Sequence, residues 1–136
     1  MLQRACPDTR SPKSTEQLQQ VLRVANQYAV PLWTFSRGKN LGYGGPAPRV
    51  SGSVALDLHR MDRIIEVNDE FHYAVVEPGV TFIQLYQYCV EHGKKVWPST
   101  PSLGWGSVVG NVSIPPGHIN RHADGIRPST AAWASA

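Results

Sequence analysis

Leu18, Val21, Leu22 and Ala25 recur at i, i+3, i+4 and i+7, the spacing that lines one face of an α-helix. Ser14 precedes Gln17 by three positions at the head of this run. That is capping-box spacing, so a helix is expected over residues 14–28 with those four side chains on its buried face. Residues 31–35 read as a short strand with proline first, where the missing amide costs no ladder bond. Beyond a glycine-rich stretch, Val54, Leu56 and Leu58 alternate with Ala55 and Asp57 like a half-buried strand. Residues 64–67 and 73–76 read as two further strands, parted by the turn formers Asn68 and Asp69. Thr81 and Gln84 repeat the capping-box spacing ahead of Phe82, Leu85 and Cys89. A second helix is expected to run to about His92, closed by Gly93 in the left-handed conformation. Residues 96–98 form a brief extended piece. Residues 1–13, polar and punctuated by Pro7 and Pro12, read as an irregular segment, and residues 112–136 lose all periodicity. Helix, strand, loop, strands, helix, strand is the order of an α+β fold rather than of a uniformly alternating sheet.

Composition narrows the class. The 136 residues are 41% hydrophobic and 17% charged, which suits one packed domain and excludes wholesale disorder. No apolar run approaches the roughly 18 residues that span a bilayer, and no basic-then-apolar signal follows Met1, so no membrane association is expected. A soluble intracellular protein, cytoplasmic or peroxisomal, is the expectation. The net charge of +3 suits an anionic ligand and is too small and too scattered to argue for nucleic acid. Cys6 and Cys89 could pair in principle, but Cys89 lies on the apolar stripe of the second helix and reads as an inert core thiol.

Two segments carry candidate chemistry. In Ser36-Arg37-Gly38-Lys39-Asn40-Leu41-Gly42-Tyr43-Gly44-Gly45, four glycines fall within eight positions directly after a strand. Such a backbone can take positive φ and converge its amides on an anion, with Arg37 and Lys39 adding charge. The spacing matches neither Gly-x-Gly-x-x-Gly nor the Walker pattern, and an ordinary hairpin-like loop has the same composition. In Pro101-Ser102-Leu103-Gly104-Trp105-Gly106-Ser107-Val108-Val109-Gly110-Asn111, glycines and small hydroxyl residues alternate with aliphatics. A backbone lying flat against a planar ligand has this character, and so does a buried small-residue turn. Together the two favour one elongated anionic ligand, such as a dinucleotide. His118 and His122 sit four apart, but Pro115, Pro116 and Gly117 oppose a helix there and no third ligand is evident, so no metal site is expected. His59, His72 and His92 are scattered and read as surface residues.

The stretch Trp33-Thr34-Phe35-Ser36-Arg37-Gly38-Lys39-Asn40-Leu41-Gly42-Tyr43-Gly44-Gly45-Pro46-Ala47-Pro48-Arg49, then Val75-Val76-Glu77-Pro78-Gly79-Val80-Thr81, then Gly104 to Asn111, resembles the vanillyl-alcohol oxidase and para-cresol methylhydroxylase family. The resemblance covers about residues 7–111. It implies an α+β FAD-binding domain of the para-cresol methylhydroxylase type, in residues 14–111, within an oxidoreductase that oxidises para-substituted phenols by hydride transfer to the flavin. By the same resemblance, the backbone of Ser36, Arg37, Gly38, Lys39, Asn40, Leu41 and Gly42 holds the FAD pyrophosphate. Pro101, Ser102, Ser107, Val108, Gly110 and Asn111 contact the flavin or its ribityl chain. Tyr43 matches a tyrosine that binds the substrate as a phenolate. Ser102 stands where oxidase-type members carry an aspartate. Its hydroxyl cannot act as a carboxylate base, and the cresol-dehydrogenase branch has serine there.

The resemblance ends at Asn111. The family continues with a tyrosine-containing segment and a separate substrate domain, whereas here Val112-Ser113-Ile114-Pro115-Pro116-Gly117 follows. Val-Ser is what a splice-donor consensus encodes in frame, so residues 112–136 are expected to be an intron-derived or frame-shifted, disordered tail. An N-terminal part with the pyrophosphate clamp but without the substrate pocket would bind FAD weakly, would not turn over, and could form homo-oligomers only at full length. A non-catalytic nucleotide-binding module and a truncated product without function are the alternatives.

Overall fold

The structure is a computed structural model, and it describes residues 9–39, 45–99, 104–112 and 126–128. The elements run β1 (Thr9–Arg10), α1 (Thr15–Gln27), β2 (Leu32–Phe35), β3 (Val54–Asp57), β4 (Ile64–Asn68), β5 (Tyr73–Val76), α2 (Phe82–Glu91), β6 (Val96–Pro98), α3 (Val108–Val112) and β7 (Ile126–Pro128). Their mixture of parallel and antiparallel sheets is the expected α+β class.

A parallel sheet of order β1-β3-β2 forms one part, with Leu32 opposite Val54 and Phe35 opposite Asp57. Parallel neighbours cannot be joined by a tight hairpin; they need a crossover. The glycine-rich stretch after Phe35 therefore belongs to a crossover connection, which removes the hairpin alternative. Thr9 and Arg10 pair with Ala55 and Leu56, so the first segment is not irregular throughout. With neighbours on both sides, β3 is the central strand. Ala55 and Leu56 are both buried, and the half-buried alternation expected from Val54, Leu56 and Leu58 gives way to the two-sided burial typical of central parallel strands.

The second part is the antiparallel hairpin β4–β5, with a register irregularity between Ile64 and Glu66. Asn68 accepts the amides of Glu70 and Phe71 at 3.0 and 2.9 Å and shapes the turn. Helix α2 packs on this hairpin: Val67, Val80, Leu85, Cys89 and Val96 form the buried core, joined by Ile64, Ala74, Val76, Tyr88 and Val108. Cys89 is buried and free, and burial raises its thiol pKa, as expected of an inert core thiol. Strand β7 pairs with β6, Val96 opposite Pro128, so residues 126–128 of the segment read as a disordered tail are paired.

Both helix starts follow their capping signals, unequally. Thr81 and Gln84 make the reciprocal pair, with distances of 2.9 and 3.1 Å. Ser14 accepts from the Gln17 amide, but the Gln17 side chain turns to the Lys13 amide at 2.8 Å. The buried face expected of α1 is also narrower than its periodicity suggested. Ala25 alone is fully buried, Leu18 and Val21 are half-buried, and Leu22 keeps 41% of its surface.

At the end of α2, Gly93 has φ +59° and the Lys94 amide reaches back to Cys89 O at 2.8 Å, a glycine-closed helix end. At the end of α1 the same geometry falls on Ala29, with φ 52° and the Val30 amide on Ala25 O at 2.8 Å. An L-residue there is strained by about 1–2 kcal/mol, partly offset by the backbone entropy a glycine would lose. Ala29→Gly is therefore expected to raise stability by about 0.5–1 kcal/mol, read as a higher urea midpoint at unchanged slope.

Candidate functional site

The site forms where the crossover leaves β2. Gly38 takes φ +62°, and a Cβ there would meet Pro46 Cβ at 3.1 Å, so the two ends of the loop are in contact across it. Trp33, on β2, donates its indole N–H to Gly45 O at 3.0 Å and pins the returning end. Lys39 is exposed and Ser36 half-buried. Asp57, opposite Phe35 in the register, ends β3 beside this loop. It accepts from the His59 amide at 3.0 Å and lies 2.8 Å from His59 Nδ1.

The second glycine-rich segment comes to the same place. Thr81 and Ser107 form an antiparallel bridge, and the Val108 amide donates to Val80 O at 3.0 Å. These bonds set α3 beside the start of α2. There a Cβ on Gly110 would lie 2.6 Å from Ser36 Oγ. Two segments far apart in the sequence thus meet in close contact, where a side chain at position 110 would force Ser36 to move.

The amides at the start of α2 are taken within the protein, as are those of Val108, Gly110 and Asn111 on α3. On α2, the Phe82 and Ile83 amides donate to Gly106 O and Gly104 O at 3.2 and 2.9 Å, and the Gln84 amide to Thr81 Oγ1. On α3, the Gly110 amide donates to Ser107 Oγ at 3.0 Å and the Asn111 amide to Ser107 O.

Two side chains expected to face the ligand are engaged within the protein. The Arg37 guanidinium, expected to add charge at the loop, turns away: its Nε donates to Gly79 O at 2.6 Å and a terminal nitrogen donates to Gln84 Oε1 at 3.1 Å, with Asp62 3.9 Å off. Ser107 Oγ donates to Pro78 O at 2.5 Å. Both residues retain backbone positions at the site. Half-buried Val108, Gly110 and Asn111 line α3. Asn40, Leu41, Gly42, Tyr43, Pro101 and Ser102 lie outside the described residues.

The Pro78–Gly79 turn between these partners was not singled out by composition. A Cβ on Gly79 would come within 2.5 Å of His59 O and 2.7 Å of Met61 O, and its amide donates to Met61 O at 2.6 Å. Just before it, buried Glu77 accepts the Arg63 amide and Nε at 2.9 Å each, and a second guanidinium nitrogen at 2.6 Å. These bonds to Arg63 hold the Glu77 carboxyl below the ordinary carboxylate range. The segment from Val75 to Thr81 carried the family resemblance, and the Pro-Gly pair within it is the local turn signal.

A family model described as FAD binding domain matches residues 9–124. The chain belongs to that family, and its cofactor is FAD. It is 47% identical over 83 residues to the 4-cresol dehydrogenase [hydroxylating] flavoprotein subunit of Pseudomonas putida, a match covering 61% of this chain and 16% of the relative. It is 41% identical over 107 residues to 1'-carboxy-chondrochloren decarboxylase of Chondromyces crocatus, covering 78% and 20%. The fold superposes with a TM-score of 0.72 and 47% identity on 4-ethylphenol oxidase from Gulosibacter chungangensis, covering 76% of this chain and 20% of that one. The chain thus spans about a fifth or less of the length of these relatives. The described residues are compatible with the cofactor: Gly38 has positive φ, Gly110 lies close against Ser36 Oγ, and Lys39 is exposed at the start of the loop. Among the described residues no helix is long and apolar enough to cross a membrane, and no cluster of metal-ligating side chains occurs.

The Glu77–Arg63 pair secures the strand ends that lead into this site. A carboxyl with a lowered folded pKa stabilises above its unfolded pKa, and that contribution is lost as pH falls through the folded value. Arg63 keeps 72% of its side chain exposed, so Glu77→Ala is expected to lose only about 1–2 kcal/mol at neutral pH. The gap between parent and variant should narrow as the solution is acidified below the ordinary glutamate range, as followed by urea unfolding across pH.

Proposed function

We propose that this chain supplies the pyrophosphate clamp and part of the flavin wall of an oxidoreductase that acts on para-substituted phenols. The observation that carries this reading is the approach of Ser36 to Gly110, which lets one elongated molecule engage both glycine-rich segments. Identities of 47% to a cresol dehydrogenase subunit and to a 4-ethylphenol oxidase support the phenolic substrate class. When bound, FAD supplies hydride-acceptor chemistry.

The protein's own contribution is binding and polarisation. The backbone of residues 36–42 holds the diphosphate, and Ser107, Val108, Gly110 and Asn111, with Pro101 and Ser102, line the flavin side. Tyr43 donates its phenolic hydroxyl to the substrate oxygen and favours the phenolate, which raises electron density at the para carbon. Ser102, uncharged, offers no carboxylate base at its own position. Exposed Ile65, Phe71, Ile83, Tyr86 and Val90 offer apolar surface on which further parts of a larger protein could pack. Taken by itself, the chain binds FAD weakly and does not turn over.

Reconstitution with FAD, followed by flavin absorbance after gel filtration, tests the reading. Gly110→Val is expected to reduce FAD retention by about tenfold or more, because the new side chain collides with Ser36; circular dichroism melts run in parallel separate a blocked clamp from an unfolded one. Retention of a mononucleotide as tight as that of FAD would point instead to a general nucleotide-binding module. In the full-length protein, Tyr43→Phe is expected to raise KM for phenols several-fold while leaving flavin content unchanged. Loss of flavin would make Tyr43 structural.

A further inference from the structure

Both carbonyls of the Pro78–Gly79 dipeptide are taken, and by opposite sides of the site. Gly79 O accepts from Arg37 Nε at 2.6 Å, directly after Ser36 in the first glycine-rich segment. Pro78 O accepts from Ser107 Oγ at 2.5 Å, in the second segment. Ser107 Oγ in turn accepts from the Gly110 amide at 3.0 Å, and Gly110 lies against Ser36 Oγ. Ser36, Arg37, Gly79, Pro78, Ser107 and Gly110 therefore close a ring. The turn at its hub cannot shift easily, since Gly79 is wedged against the backbone carbonyls of His59 and Met61. A second tie, from Arg37 to Gln84 Oε1 at 3.1 Å, joins the ring to the capping box of α2.

We infer that Arg37 and Ser107 are positioning residues whose side chains fix the gap between the diphosphate segment and the flavin segment by gripping the two carbonyls of the Pro78–Gly79 turn. The inference rests on the proposed cofactor reading and deepens it. It makes the Arg37 guanidinium a strut rather than a phosphate ligand, and the Ser107 hydroxyl a link rather than a flavin contact. Only arginine offers a planar donor set that can serve a carbonyl and an amide oxygen in fixed directions, so lysine is not an adequate replacement. Opening the ring leaves each segment's own backbone intact and loosens the distance between them.

A ligand touching one segment should then be insensitive to the ring, and a ligand spanning both should be sensitive. ADP carries the diphosphate without the flavin; FAD carries both. Arg37→Lys and Ser107→Ala, singly and together, are to be compared by isothermal titration with ADP and with FAD, in the complete chain. The expected result is a loss of FAD affinity of about tenfold in each single variant, with ADP affinity changed by less than about twofold on the same scale. The double variant should be little worse than either single one, because one opening already breaks a ring. Ser107→Thr, which keeps the hydroxyl, should restore FAD affinity, and it covers the case in which Ser107→Ala does not fold. Equal losses for ADP and FAD in Arg37→Lys, with a weakened salt dependence, would make the guanidinium a direct phosphate contact and overturn the inference. So would unchanged FAD affinity in both single variants. If the parent chain binds neither ligand, the cofactor reading itself fails and the inference falls with it; binding in the parent that is indifferent to the variants rejects the ring alone.

Discussion

The structure depends on one close approach: a glycine α-carbon at position 110 set against the hydroxyl of Ser36, where a Cβ would come within 2.6 Å. That approach is what turns two unremarkable glycine-rich stretches into one site. It needs a short helix, α3, delivered to the end of a parallel strand, β2. The delivery is achieved by backbone bonds between residues 104–108 and the start of α2. The same bonds occupy the amides at the start of α2. The start of α2, the kind of helix terminus that seats anions in dinucleotide folds, is thereby closed.

Charge follows the same logic. A guanidinium beside a candidate phosphate loop reads as a ligand, yet Arg37 is satisfied by Gly79 O, Gln84 and the more distant Asp62. A diphosphate held by backbone amides needs no formal positive charge at each oxygen, provided the amides are fixed in place. The Glu77–Arg63 pair serves the strand ends in a comparable way. Its carboxylate is buried while its arginine is largely in water, so its worth lies in the three bonds the carboxylate accepts as well as in Coulomb attraction.

Most elements were legible in the sequence because they are governed by local rules. The α2 capping box, the Gly93 closure and the Asn68 turn need only neighbours within a few residues. The readings that differed involve partners far along the chain. Leu22 satisfies helical periodicity, but nothing described packs over it closely enough to bury it. Val54 to Asp57 alternates like a half-buried strand and is central, since the strands on either side come from residues 9–10 and 32–35. The roles of Arg37 and Ser107 depend on two carbonyls of the Pro78–Gly79 turn, and a carbonyl carries no side-chain signature. Glycine spacing indicated where a backbone is exposed to a ligand, and it could not indicate which side chains hold that backbone still.

The central claim is that one bound molecule engages both segments. A crystal structure of this chain with FAD addresses it directly. A single FAD is expected, its diphosphate hydrogen-bonded by backbone amides of residues 36–42 while residues 107–111 lie against its flavin end. A diphosphate seated elsewhere, or a flavin that leaves Gly110 and Asn111 untouched, would contradict it.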